Sequence, residues 1–284
     1  MKQTISMLFG RSKIALAVLT VFLFGFFAGI FFSFPEMNLK RQIISSIETQ
    51  GHVAVDQGVI NIGLLGIEGS DLLIRPENPL WPTIPINSLH IAPQWLSLFS
   101  KDPGVHLDMQ LFGGTLWADV FKDGRLSVEA SQIDLGFLLP KDQQMKISGL
   151  LAKMKLASTV PLAKTSESLL AVALKGVKIA GQSGMNLSLN LGDIDISGIG
   201  RGRSIKIVSL NADKGDLSIS GKGSVLLGHD LPSTQVNMKI EIRPENTADP
   251  MLVELLKLGT RHISNGSYEL TLSGPLSELL FRTF

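Results

Sequence analysis

Histidines are the residues best suited to metal binding or proton transfer, and the chain has five: His52, His90, His106, His229 and His262. They lie far apart, in no ligand spacing, and no His-Glu-x-x-His is present. Each therefore reads as a surface or strand-face residue. Cysteine is absent, which excludes disulfides, thiolate metal sites, iron–sulfur clusters, a Cys nucleophile and an acylated lipoprotein anchor. It does not assign a redox compartment. A serine nucleophile elbow needs Gly-x-Ser-x-Gly, and in Gly181-Gln182-Ser183-Gly184-Met185 the second glycine is misplaced. Gly198-Ile199-Gly200-Arg201-Gly202 has the glycine density of a phosphate cradle. A dinucleotide site would open a helix there, whereas a strand pattern follows, so the segment reads as a turn. Gly221-Lys222-Gly223-Ser224 lacks the spacer of a P-loop. Asp193 and Asp195 share one side of a strand and could hold a cation, but no third acidic ligand is nearby and a solvated turn is the preferred reading. Without a nucleophile, base and oxyanion donor in one plausible pocket, the expectation is a protein that is not an enzyme and carries no cofactor or metal.

The elements around these residues are mostly strands. Val105, Leu107, Met109 and Leu111 alternate with polar residues. Gly113-Gly114 then turns the chain, and Leu116, Ala118 and Val120 resume the alternation. Asp123-Gly124 is a hairpin signal before Leu126, Val128 and Ala130, so residues 105–130 read as a three-stranded meander. Downstream, Met185 to Leu191 alternate and Gly192-Asp193 reads as a turn before Ile194 and Ile196. A phase slip between Ile207 and Val208 points to a bulge. Val236, Met238, Ile240 and Ile242 form one further strand, and Tyr268, Leu270 and Leu272 the last. Helical signals are few: a short turn over 93–100, and a helix over 250–258 stopped by Gly259. Residues 76–85, 158–167 and 243–250 read as linkers, and the second leaves open a division into two modules near residue 160.

The N-terminus is of another kind. Ile14 to Phe34 runs for 21 residues without a charge and includes Phe22, Phe24, Phe26, Phe27 and Phe31. As a helix it would span roughly 30 Å, the thickness of a bilayer core. A cleaved signal peptide has a shorter apolar run that ends in small residues, so a retained anchor is expected. Lys2, Arg11 and Lys13 precede the run without an acidic residue, which favours a cytoplasmic N-terminus. Leu39, Ile43 and Ile47 make one stripe of a juxtamembrane helix ending near Gly51. The expected organisation is a tail (1–13), a span (14–34), a juxtamembrane helix (35–51) and a β domain (52–284). The fold class is mainly β, a curved antiparallel sheet with few helices. Net charge is +1 with scattered basic residues, so no nucleic-acid partner is expected.

Three stretches carry a resemblance. Val59-Ile60-Asn61-Ile62-Gly63-Leu64-Leu65-Gly66-Ile67-Glu68-Gly69-Ser70-Asp71-Leu72-Leu73-Ile74 reads as a strand, a glycine-marked turn and a returning strand. Leu107-Asp108-Met109-Gln110-Leu111-Phe112-Gly113-Gly114-Thr115-Leu116 is an apolar-Gly-Gly hairpin, and Leu270-Thr271-Leu272-Ser273-Gly274-Pro275-Leu276 a closing strand. With the single N-terminal span, this layout resembles the type II secretion system protein N (GspN) family and, more broadly, the AsmA-like proteins of the bacterial envelope. Residues 140–165 have no counterpart in that pattern. The resemblance implies an inner-membrane protein whose main domain faces the periplasm. It transfers no catalytic residue. Two functions follow from it. One is a component of a secretion machine that pairs strand edges with partner proteins, with Val236 to Ile242 and Tyr268 to Leu272 as candidate edges. The other is a lipid-handling protein that carries lipid along an apolar β groove. An open apolar face favours the second; a second layer packed over it excludes it. A reporter fused after Phe284 is expected to be active only when exported; activity confined to the cytoplasm would overturn the assigned orientation.

Overall fold

The computed structural model describes residues 45, 48–49, 53–56, 58–63, 65–77, 82–137, 145–163, 165–181, 188–228, 233–263 and 266–275. The anchor segment, with Ile14 and Phe34 at its ends, lies outside them. Of the juxtamembrane helix, Ser45, Glu48 and Thr49 are described, and they are helical.

Among the described residues fifteen strands form one antiparallel sheet. In chain order they are β1 Val53–Asp56, β2 Val59–Gly63, β3 Gly66–Pro76, β4 Ile84–Pro93, β5 Gly104–Leu111, β6 Gly114–Phe121, β7 Arg125–Asp134, β8 Met145–Thr159, β9 Glu167–Gly181, β10 Ser188–Arg201, β11 Ser204–Asp213, β12 Leu217–Leu226, β13 Gln235–Pro244, β14 Arg261–His262 and β15 Tyr268–Pro275. The ladder follows the chain: β1 pairs with β3, sequential neighbours pair from β3 to β13, and β15 and β14 close the far end. β2 lies against the other half of β3, on the side β1 occupies. At about 4.8 Å per strand the ladder is roughly 60 Å long. An α-helix, α1, spans Pro250–Gly259. It follows the N-cap Asp249, whose side chain accepts from the Met251 amide, and has Pro250 in its first turn.

The meander expected over 105–130 is β5, β6 and β7, paired Leu107 to Ala118 and Ala118 to Val128. The expected bulge is present where β11 slips against β12 between Ile207 and Leu210. Gly192-Asp193, read as a turn, is instead inside β10. Gly192 adopts φ +69 there, and an added Cβ would sit 2.0 Å from the Asp213 carbonyl oxygen, so only glycine lets β10 and β11 close on each other. The linker expected at 158–167 is the turn of a hairpin between β8 and β9, each 15 residues long. The sheet therefore runs unbroken across residue 160. The strand carrying Val236, Met238, Ile240 and Ile242 was expected to offer an edge. It is interior, bonded to β12 on one side and β15 on the other.

Strand alternation and register sort the side chains into two faces. One is apolar from end to end: Val55, Ile74, Ile86, Leu111, Leu116, Ala130, Met154, Val172, Ile196, Leu210, Ile240 and Leu270 occupy it on successive strands. The other carries Glu129, Lys155, Asp195, Asn211, Lys222, Lys239 and Glu269. Glycines punctuate the apolar face at 198, 200, 221 and 223, inside strands rather than at turns. Gly223 faces Met238, and a Cβ there would meet the Asn237 carbonyl oxygen at 2.2 Å. At Gly221 the nearest atoms stand at 3.4 Å, on Ile240 and Lys239. Gly223→Ala is therefore expected to destabilise the fold by roughly 2–3 kcal/mol, and Gly221→Ala to change it by no more than about 0.5 kcal/mol. Urea denaturation of the two variants checks the contrast.

Candidate functional site

The apolar face is the candidate site, and its cover decides what it can do. Strand ends fall on two rims. One, the Phe112 rim, holds the β5–β6 turn, the β11–β12 turn and α1. The other, the Trp95 rim, holds the β4–β5 connection and the β6–β7, β8–β9 and β10–β11 turns. Apolar cover is concentrated at the Phe112 rim. There Leu111, Phe112, Ala130 and Ile133 form one buried cluster, with Ile84, Met109, Leu116, Leu151 and Met154 around it. The Phe137 ring stacks on Phe112 at 5.5 Å. Farther along the ladder, Leu252 and Leu256 of α1, one helical turn apart, pack onto Leu217, Ile242, Ile219, Ile240 and Leu270.

Toward the Trp95 rim the same face opens. Along β5 the exposure rises from 9% at Leu111 to 44% at Val105. Along β6 it rises from 9% at Ala118 to 45% at Val120. Between the two clusters Leu170, Val172, Ile196 and Ile205 are half-buried, and so are Val225, Val236 and Met238 on β12 and β13 toward the Trp95 rim. Among the described residues no large side chain is fully buried. A two-layer protein of this size would seal such residues in a core. Here their neighbours on the same face partly cover them: Ile205 and Ile207 lean over Gly198, and Met238 over Gly223. The result is a trough with a dry wall at the Phe112 rim and an open side at the Trp95 rim. At that open side two hydroxyls pair, Ser158 Oγ with Ser168 Oγ at 2.7 Å, so the buried Ser168 keeps a hydrogen-bond partner.

The polar face has a concavity of about 890 Å³ near the Trp95 rim, lined by Phe121, Arg125, Leu169, Ile199, Arg201 and Lys206 among others. The Arg125 guanidinium lies 4.6 Å from the centre of the Phe121 ring.

The candidate chemical residues are not gathered into one site. His106 Nδ1 lies 2.7 Å from Asp119 Oδ1, the same oxygen that accepts from Gln94 Nε2 at 2.6 Å. His90 is 3.9 Å from Glu68, and His262 stands edge-on to Tyr268. His52 and His229 lie outside the described residues. Among the described residues no three His, Asp or Glu side chains come together as a metal site would require. Asp193 does share the polar face with Asp195, but it is spoken for: it accepts from Lys214 Nζ at 2.8 Å and from the Gly176 amide at 3.1 Å. It ties the β11–β12 turn to β9. Of the two strands named as candidate edges, the one carrying Val236 to Ile242 is interior, while Tyr268 and Glu269 pair with β14 and Leu270 and Leu272 lie beyond that short strand's reach. What sequence reasoning missed is the unevenness of the trough, since half-buried and buried positions alternate identically.

The hydrogen bond from Lys214, then the Gly176 amide, hold the Asp193 carboxyl below the ordinary aspartate value. A depressed folded-state value means the tie contributes above the ordinary aspartate range and is lost as pH falls through the folded value. In Lys214→Ala the Asp193 titration, followed by side-chain carboxyl NMR, is expected to move up toward the ordinary value. No family model, no curated protein and no solved structure matches this chain.

Proposed function

We propose that this chain handles lipid: the open trough on its apolar face takes acyl chains, and the N-terminal segment tethers it to a membrane. The observation that carries this reading is the one-layer sheet whose apolar face is wet along the Trp95 rim. Water against that face is unfavourable, and an acyl chain laid along it gains about 0.8 kcal/mol per methylene removed from water. Among the described residues the polar pair on this face, Ser158 with Ser168, is satisfied internally, so along the uncovered part of the trough the gain comes from apolar contact alone. A chain bound there is held without being locked in one register, which suits carriage better than storage. The chemistry needed is contact and exclusion of water; no bond is made or broken, in keeping with a non-enzymatic protein.

The setting follows the resemblance: an inner-membrane anchor with its N-terminus in the cytoplasm and the sheet in the periplasm. A second reading, assembly into a type II secretion machine, draws support from one edge. Beyond Glu269, β15 has no outer partner among the described residues, so Leu270 to Pro275 offer backbone groups to a strand of another protein.

Site-specific photo-crosslinking separates the two. A photoreactive residue at Leu170, Ile205 or Met238 is expected to capture lipid in membranes of the producing cell, and one at Lys222 or Lys239 on the polar face to capture none. Equal capture from both faces, or none from the apolar one, would overturn the lipid reading. Capture of a secretion component at Thr271 would support the edge reading.

A further inference from the structure

The connection between β4 and β5 exposes large apolar side chains on a rigid support. Residues Trp95–Phe99 form a 3-10 turn. Phe99 is 94% exposed, Leu96 90%, and Trp95 nearly half. A mobile loop could fold such residues inward; this one is bonded in place. Gln94 N donates to Gly104 O at 2.9 Å, and Ser97 N to Gln94 O at 2.8 Å. The Ser97 hydroxyl donates to Gln94 O at 2.6 Å and accepts from the Gly104 amide at 2.7 Å. The Gln94 side chain is held by Asp119. The backbone is thus locked in the one arrangement that directs Leu96 and Phe99 into water, at a cost the fold itself does not recover.

We infer that this turn is an interfacial anchor that inserts into the surface of a lipid bilayer. Trp, Leu and Phe side by side are the residues that enter the headgroup and upper acyl region, with tryptophan at the boundary. Lys101 follows in the same loop, and Lys122 donates its amide to Pro103 beside it; together they outnumber Asp102 and suit anionic headgroups. The rest of this rim fits the same surface, for Leu65, Val105, Val120 and Val160 are also exposed along it, and Leu169 and Ile199 are exposed next to it on the polar face. β1 enters the ladder at the Phe112 rim, where Val53 pairs with Pro76, and only β3 separates it from β4; the residues between Phe34 and Val53, at up to ~3.3 Å each, are long enough for a bilayer holding 14–34 to meet the turn at the opposite rim. This rests on reading 14–34 as a span. Seating the turn in the bilayer would turn the open side of the trough toward the lipid, the arrangement a lipid-handling face requires.

The absence of cysteine makes the test clean, since one introduced cysteine takes one label. The full-length chain is reconstituted in phosphatidylglycerol vesicles with an environment-sensitive fluorophore on Leu96→Cys, and in parallel on Lys222→Cys of the polar face. The Leu96 label is expected to shift to the blue and to lose most of its emission to a nitroxide carried in the upper acyl region, while the Lys222 label does neither. Emission of the Leu96 label that matches the Lys222 label, as a docking site for protein would give, overturns the inference. Should the labelled turn be perturbed, the unlabelled Trp95, with Trp81→Phe and Trp117→Phe, gives the same readout through brominated lipid. Neither measurement depends on lipid inside the trough, so its failure and the failure of trough crosslinking are told apart.

Discussion

A sheet one layer thick has little to hold it but its own hydrogen-bond ladder. From β3 to β13 each strand is bonded on both sides, so backbone groups that would otherwise need water are satisfied within the sheet. Covering layers are local: α1 over one part of the apolar face, the Phe112 and Phe137 rings over another. The rest of the face must gain its apolar contacts sideways, from neighbours on the same sheet. That explains why glycines sit inside β10 and β12. They let Ile205, Ile207 and Met238 lie flat over the adjacent strand, and at Gly223 they let two backbones approach more closely than any side chain permits.

The same constraint makes the ends of the ladder exposed to unwanted pairing. β1 spans Val53–Asp56 and β14 only Arg261–His262, short strands that offer few unpaired groups. The long strands β8, β9 and β10 lie in the middle, where both edges are covered. Charge pairs on the polar face, such as Lys155 with Glu129 and Lys239 with Glu269, join neighbouring strands, but exposed pairs of this kind contribute little each. Stability therefore rests on the ladder and on the two apolar clusters at the Phe112 rim.

The proposed function is read from that asymmetry. One rim carries packed rings and a helix over the sheet, with Met251, Leu255 and Leu258 exposed on the helix's outer side; at the other the sheet's own apolar residues are exposed, beside the bonded turn that displays Leu96 and Phe99. A lipid-handling role and a bilayer contact at the open side draw on the same imbalance from two directions, one from the face and one from the rim.

Much of the local structure was legible from residue order alone. Regular alternation over 105–130 marked three strands, Asp123-Gly124 marked their turn, the Ile207–Val208 phase slip marked a bulge, and Pro250 and Gly259 bracketed α1. β8 and β9 were not legible. Register shifts at Ser148/Leu150 and Leu151/Lys153 space Ile147, Leu151 and Met154 four and three apart, a helical interval, and Pro161 with its polar neighbours looks like a linker. Sequence by itself determined that the chain would pleat, with one greasy side and one polar side, because a period of two can bury nothing else. Only the tertiary structure decided that, among the described residues, no second layer covers most of the greasy side, that β13 is interior, and that the cover they supply lies on one rim. Alternation reports which way a side chain points from its own strand; which strands stand beside it, and whether anything lies above it, depends on residues far away in the chain.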